Sequence, residues 1–192
     1  MKISSSIINI HWFRKDLRLE DNPSLSEASK TGEVLPLYIW DNVNSGEYKT
    51  GEVSKIWLHH ALDNLNKSLE NKLCIVSGDP KVIIPNLVKK IGIKGVYWNR
   101  MYEPWSIKRD KNIKKILESL NIKVESFNGS LLWEPWNIVK KDGTPYKVFT
   151  PFYKKGCLES AEPRTPKPKP NILKLYFEKK IYNKLDKLNL LS

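Results

Sequence analysis

His11-Trp12-Phe13-Arg14-Lys15-Asp16-Leu17-Arg18-Leu19-Glu20-Asp21-Asn22-Pro23 decides the fold of this 192-residue chain. The apolar run 7–13 reads as a strand buried on both faces, and it stops abruptly in charge. Asp21 or Asn22 then offers an N-cap and Pro23 the fixed φ of a first helical turn, so a helix starts here. Strand, charged turn, helix is the arrangement in which an open α/β sheet binds ligands outside the carboxyl ends of its strands. The turn contains no glycine. A dinucleotide fingerprint (G-x-G-x-x-G) and a phosphate-cradling P-loop are therefore both absent from it. A ligand docking here meets arginines and an aspartate.

Outward from that turn, strand-like and helix-like segments alternate through residue 128. Short, mostly apolar strands are expected at 7–13, 34–40, 73–77, 95–99 and 123–128. Helices are expected at about 23–30, 53–71, 80–91 and 106–120. In the second, Leu58, Leu62, Leu65 and Leu69 fall at spacings of four, three and four and make one apolar stripe. The third opens with Asp79-Pro80 and closes at Gly92. Repeated units of this length predict a doubly wound, Rossmann-like five-stranded parallel sheet. Past residue 128 the pattern changes to an aromatic and proline-rich stretch with a turn at Lys141-Asp142-Gly143. Four prolines between Pro163 and Pro170 then read as an extended linker. The organisation expected is one α/β domain over 1–157, with linker and connector over 158–192.

The formal charge is +12, with 28 lysines among 33 basic residues. Residues 140–192 carry 13 basic and 5 acidic side chains, so the excess sits in the last quarter. It reads as compositional rather than as a nucleic-acid platform, because aromatic side chains do not interleave the lysines. Cys74 and Cys157 show no metal-ligand spacing, which suits a reducing compartment. The adjacent His59 and His60 face different ways on a helix, which argues against a zinc site. With no apolar run of spanning length and no cleavage signal, the expectation is a cytoplasmic protein without membrane contact.

Four stretches in order carry a family resemblance. They are Trp12–Leu25 (WFRKDLRLEDNPSL), Val53–His60 (VSKIWLHH), Tyr97–Pro104 (YWNRMYEP) and Gly143–Phe152 (GTPYKVFTPF). Together they cover roughly residues 7–157 and resemble the N-terminal, antenna-binding domain of the DNA photolyase/cryptochrome family. The resemblance implies a light-harvesting pigment on this domain. Methenyltetrahydrofolate leads, with FMN or a deazaflavin as alternatives. It also implies a C-terminal domain that holds the catalytic FAD and meets UV-damaged DNA. That domain is expected to be missing or on a separate chain, so the chain alone is expected to be inactive in repair.

Mapped onto this sequence, the family pocket takes Phe13, Arg14, Lys15, Asp16, Leu17 and Arg18 from the first turn. Asp41 comes from the end of the second strand, Lys55 from the long helix, and Asn99 and Glu103 from the turn after the fourth strand. Glu103 is the favoured contact, since a carboxylate accepts the paired donors of a pterin. Lys55 or Arg14 would hold the anionic end. The family pattern favours arginine where Lys55 stands, and lysine keeps the charge without the planar fork. Duller readings stand beside these. Glu103 suits a helix start on dipole grounds, and Arg14, Asp16, Arg18 and Asp21 read equally as an ion-pair network. The expected function is the antenna domain of a cyclobutane pyrimidine dimer photolyase, truncated or split. A cryptochrome-like blue-light receptor domain, an adenine-nucleotide module and an inactive gene fragment are the alternatives.

Overall fold

The computed structural model describes residues 7–171, 173–181 and 185–191. Five strands, β1 (Ile8–Phe13), β2 (Glu33–Trp40), β3 (Cys74–Ser77), β4 (Gly95–Asn99) and β5 (Lys123–Phe127), form one parallel sheet in the order β3-β2-β1-β4-β5. Four helices connect them: α1 (Pro23–Ala28), α2 (Glu52–Ser68), α3 (Pro80–Ile91) and α4 (Pro104–Ser119). The period-two alternation of the strands sorts the core. Ile10, Trp12, Leu35, Leu37, Val96 and Trp98 meet α3 and α4 on one face. Phe13, Val34, Tyr38, Ile75 and Tyr97 meet α1 and α2 on the other. This is the doubly wound, Rossmann-like arrangement expected from the sequence, and β1 lies at its switch point. One strand departs from the expected double burial. β5 is an edge strand and stays half-exposed along most of its length.

Helix boundaries follow from local chemistry. The Asn22 side chain accepts from the Leu25 N–H at 3.1 Å, so Asn22 rather than Asp21 is the cap of α1. Asp79 accepts from the Lys81 N–H at 3.0 Å, Pro80 follows, and α3 ends at Gly92 with φ of 80°. In α2 the buried leucines are Leu62 and Leu65, with Leu69 just past its end, while Val53 and Trp57 face outward.

A polar spine locks α1 onto β1 and β4. Asn99 Nδ2 donates to Asp16 Oδ2 at 2.6 Å and to Asn22 Oδ1 at 2.7 Å, and its Oδ1 accepts from Ser24 N at 3.3 Å. Because Asn22 Oδ1 serves as acceptor, its Nδ2 faces His11 Nε2 at 3.3 Å as donor. His11 Nδ1–H then donates to Ser24 Oγ at 2.7 Å, which fixes the neutral tautomer. Burial pushes the His11 pKa down to about 4, with Asp16 opposing and Arg14 adding to the fall. Gly129 packs against this spine. A Cβ there would lie 2.5 Å from Asn99 Cγ, so the close approach admits only glycine.

The rest of the chain returns to the sheet. Arg100 grips Glu134 through Nε at 2.6 Å and Nη2 at 3.0 Å, tying the aromatic stretch after β5 to the end of β4. That stretch ends in a helical turn (Phe149–Pro151) and a π-helix (Phe152–Cys157). The proline run is extended and mostly exposed, and Asp21 holds it through Arg164 and the backbone of Lys167. Residues 173–181 and 185–191, expected as connector, lie back on the domain. Val34 exchanges backbone hydrogen bonds with Lys174 and Tyr176, at 2.8 and 2.9 Å. This fills the flank of β2 that β3, starting opposite Leu37, leaves open.

Candidate functional site

At the carboxyl edge of the sheet, the ends of β1 and β2 and the segment after β4 open into a cleft of about 1230 Å³. The crevice sits where ligands bind in open α/β sheets, beside the switch point. Helix α2 forms its far wall through Ser54, Lys55, Trp57, Leu58 and Ala61. Residues 188–190 close another side.

Its floor is a buried charge network. Arg109, on the inner side of α4, donates from Nη1 to Asp41 Oδ2 at 2.9 Å. Its Nε and Nη2 reach Asp110 Oδ1 at 3.0 and 2.8 Å, and Arg14 Nη1 binds the other Asp110 oxygen. The two guanidinium groups flank the Trp12 ring, each 4.8 Å from its centroid, and Arg109 also lies 5.0 Å from Trp105. Among the described residues, Arg14 Nε and Nη2 have no hydrogen-bond acceptor, and the guanidinium carbon lies 4.8 and 6.0 Å from the Trp12 and Trp98 ring centroids. Burial works against ionisation of Asp41, but the N–H groups of Asn44 and Val43, the Asn44 amide and Arg109 outweigh it and hold the carboxyl below the usual range. Removing any one partner would leave an uncompensated buried charge.

The mouth is more exposed. Glu103 is the N-cap residue of α4 and pairs with Lys15. Burial raises its pKa, yet the Lys15 ammonium and its own backbone N–H pull it net below the ordinary carboxylate value. Lys55 Nζ lies 2.6 Å from Glu52 Oε1 on the first turns of α2. Tyr48 and Trp57 present exposed rings at the rim.

Of the ten residues singled out in the sequence, Arg14, Lys15, Leu17, Arg18, Asp41, Lys55 and Glu103 line this one cleft. The other three do not reach it. Phe13 points to the opposite face of β1 from Trp12 and is fully enclosed among Leu25, Tyr38 and Tyr97. Asp16 turns inward to accept from Arg14 N at 2.8 Å and from Asn99. Asn99 is consumed by the spine that holds α1. These three shape the turn rather than the surface. Sequence reasoning missed Arg109, Asp110, Trp12, Trp105 and the wall at 188–190. Only the Trp105/Arg109 pair left a sequence signal, a four-residue spacing that shares one helix face.

Comparison with known proteins decides the family. The sequence model of the DNA photolyase family matches residues 9–171. The chain belongs to the DNA photolyase family. A deoxyribodipyrimidine photo-lyase of Agrobacterium fabrum is 40% identical over 185 residues, covering 94% of this chain and 37% of that protein. Cryptochrome-1 of Arabidopsis thaliana is 36% identical over 162 residues, covering 82% of this chain and 24% of that protein. Among solved structures, a class III photolyase from Agrobacterium tumefaciens superposes with a TM-score of 0.87 at 36% identity. That alignment covers all of this chain and 40% of the photolyase. A Sulfolobus tokodaii photolyase described with two FAD molecules gives 0.75 at 25% identity, covering 97% of this chain and 42% of that one. The chain thus spans well under half the length of the photolyases and cryptochromes it matches, and it corresponds to their N-terminal α/β domain. Among the described residues, no cluster of His, Cys, Asp or Glu could hold a metal, and no helix is long and apolar enough to cross a membrane.

Proposed function

We propose that the cleft seats the antenna pigment of a photolyase-type flavoprotein. The observation that carries this is the convergence of Lys15, Asp41, Lys55 and Glu103, from four separate segments, on one aromatic-lined hollow at the carboxyl edge of the sheet. A flat conjugated ring fits the indole and phenol surfaces of Trp40, Tyr48 and Trp57. Methenyltetrahydrofolate is the first candidate, with FMN and a deazaflavin behind it. The Glu103 carboxylate, partly exposed beside Lys15, accepts the parallel amino and ring N–H donors of a pterin. Arg14 is committed to Asp110 in the floor, so the anionic end of the pigment falls to Lys55, with Lys49 elsewhere on the same lining. When bound, the pigment absorbs light and passes excitation by dipole coupling. The chain's share is to hold the ring at fixed distance and orientation, and a rigid five-stranded sheet does that.

The acceptor is a FAD on a C-terminal helical domain of the kind the longer relatives have room for, and damaged DNA is met through that domain. On this reading the family's repair of cyclobutane pyrimidine dimers needs both parts, and the present chain alone gives no photorepair. A photoreceptor role is the second reading, favoured by the similarity to Arabidopsis cryptochrome-1. The cytosol is the proposed location. Titration with methenyltetrahydrofolate, followed by visible absorbance, tests the site. Glu103→Ala is expected to weaken binding by roughly ten- to a hundredfold, the worth of a charge-assisted hydrogen-bond pair. Equal affinity in both proteins would remove Glu103 from the site.

A further inference from the structure

The path of the last residues places them in the cleft. Ile181 packs with Cys74, Ile84 and Val88 on the α3/α4 face of the sheet, and its carbonyl accepts from Cys74 Sγ at 3.3 Å. Leu188 and Leu190 pack on the opposite face, with Leu62 and Leu65 of α2. Ile181 and Leu188 thus lie on opposite faces of the sheet, and Leu188, Asn189 and Leu190 line the cleft wall. Leu188 and Leu190 are 8% and 2% exposed, whereas Lys187, Asn189 and Leu191 are open to solvent. A single four-residue 3₁₀ turn, Leu185–Leu188, is the local structure of the segment. Among the described residues, its hold on the domain is the apolar side chains Leu185, Leu188 and Leu190, in contrast to the five hydrogen-bonded strands beneath. A segment so attached opens on its own far more readily than the sheet unfolds.

We infer that residues 185–191 are a working wall of the pigment site, so that docking of this segment and occupation of the cleft are thermodynamically coupled. The inference rests on the pigment reading above. A pigment that needs the wall binds only the docked state. Docking then gains by the factor one plus ligand concentration over Kd, and by reciprocity the undocked chain binds pigment more weakly. At a pigment concentration ten times Kd, opening of the segment falls about tenfold. Anything that draws residues 185–191 away from α2 would release the pigment.

The test uses the full chain and its exposed Lys187 as a reporter. Trypsin cleavage after Lys187 is timed without ligand and with methenyltetrahydrofolate or FMN at ten times the Kd obtained by absorbance titration. Cleavage after Lys154 and Lys155, in the π-helix and away from the cleft, is the internal control. The expected result is cleavage about tenfold slower at Lys187 and unchanged at the control sites. Unslowed cutting at Lys187 under saturating pigment overturns the coupling and leaves the pigment site standing. Equal slowing at both places also overturns it, since that reports general stabilisation or inhibition of trypsin. Absence of a saturable absorbance change with either pigment overturns the coupling together with the reading it rests on.

Discussion

At the scale of single residues, the first turn owes its shape to side chains that do not line the cleft. Asp16 and Asn99 turn inward, and that sets the backbone from which Arg14 and Lys15 reach the cleft. His11 lies beneath them, buried and neutral, and gives the turn a pH dependence whose sign is fixed. Its folded pKa of about 4 lies below the ordinary 6.5, so between those values the unfolded chain binds the extra proton. Its contribution is whole above about pH 6.5 and is lost as pH falls toward 4, on the order of 3 kcal/mol in all. Urea midpoints taken from pH 7 to pH 5 are expected to fall in the wild type and to stay flatter in His11→Gln. Parallel curves would show that His11 is not what titrates. The residues that the sequence could not show are instructive here. Arg109 sits in a helix dense with lysine and looks like one more solvated charge. Its role comes from Asp41, 68 positions away, and no local pattern records that pairing.

At the scale of elements, what was legible is what is local. The caps Asn22 and Asp79, the stop at Gly92 and the leucine stripe of α2 all act within a few residues of themselves, so their spacing carries the information. Leu58 of that stripe also lines the cleft, and the packing of α2 sets how firmly Lys55 and Trp57 are held. Leu62→Ala, which empties a fully buried position, is expected to cost about 2–5 kcal/mol in chemical denaturation, depending on how far the site collapses. A loss below about 1 kcal/mol would mean that α2 is packed more loosely than described. The return of residues 173–181 and 185–191 was not legible, because their partners Val34, Cys74 and Leu62 lie far away along the chain. A run of prolines followed by lysine-rich sequence carries the same composition whether it hangs free or doubles back. Phe13 shows the same limit within a strand. Its neighbours mark it as part of a site-bearing turn, but its parity along β1 sends it to the core.

At the scale of the whole molecule, a rigid parallel sheet carries one hollow on its carboxyl edge. The sheet order puts the ends of β1 and β2 and the segment after β4 side by side, and α2 and residues 188–190 complete the enclosure. The turn without glycines explains why the hollow differs from a nucleotide site on a similar sheet. Arginines packed over an indole ring and a buried arginine–aspartate network stand where a dinucleotide fold would offer backbone N–H groups to a pyrophosphate. Longer relatives supply room for a flavin domain, and on our proposal excitation passes to it from this mount. The most direct test is a crystal structure of the chain soaked with methenyltetrahydrofolate. Pterin density is expected in the cleft, with its paired donors on Glu103 and its anionic tail toward Lys55. Well-defined pterin density elsewhere on the molecule, with the cleft holding only solvent, would contradict that assignment.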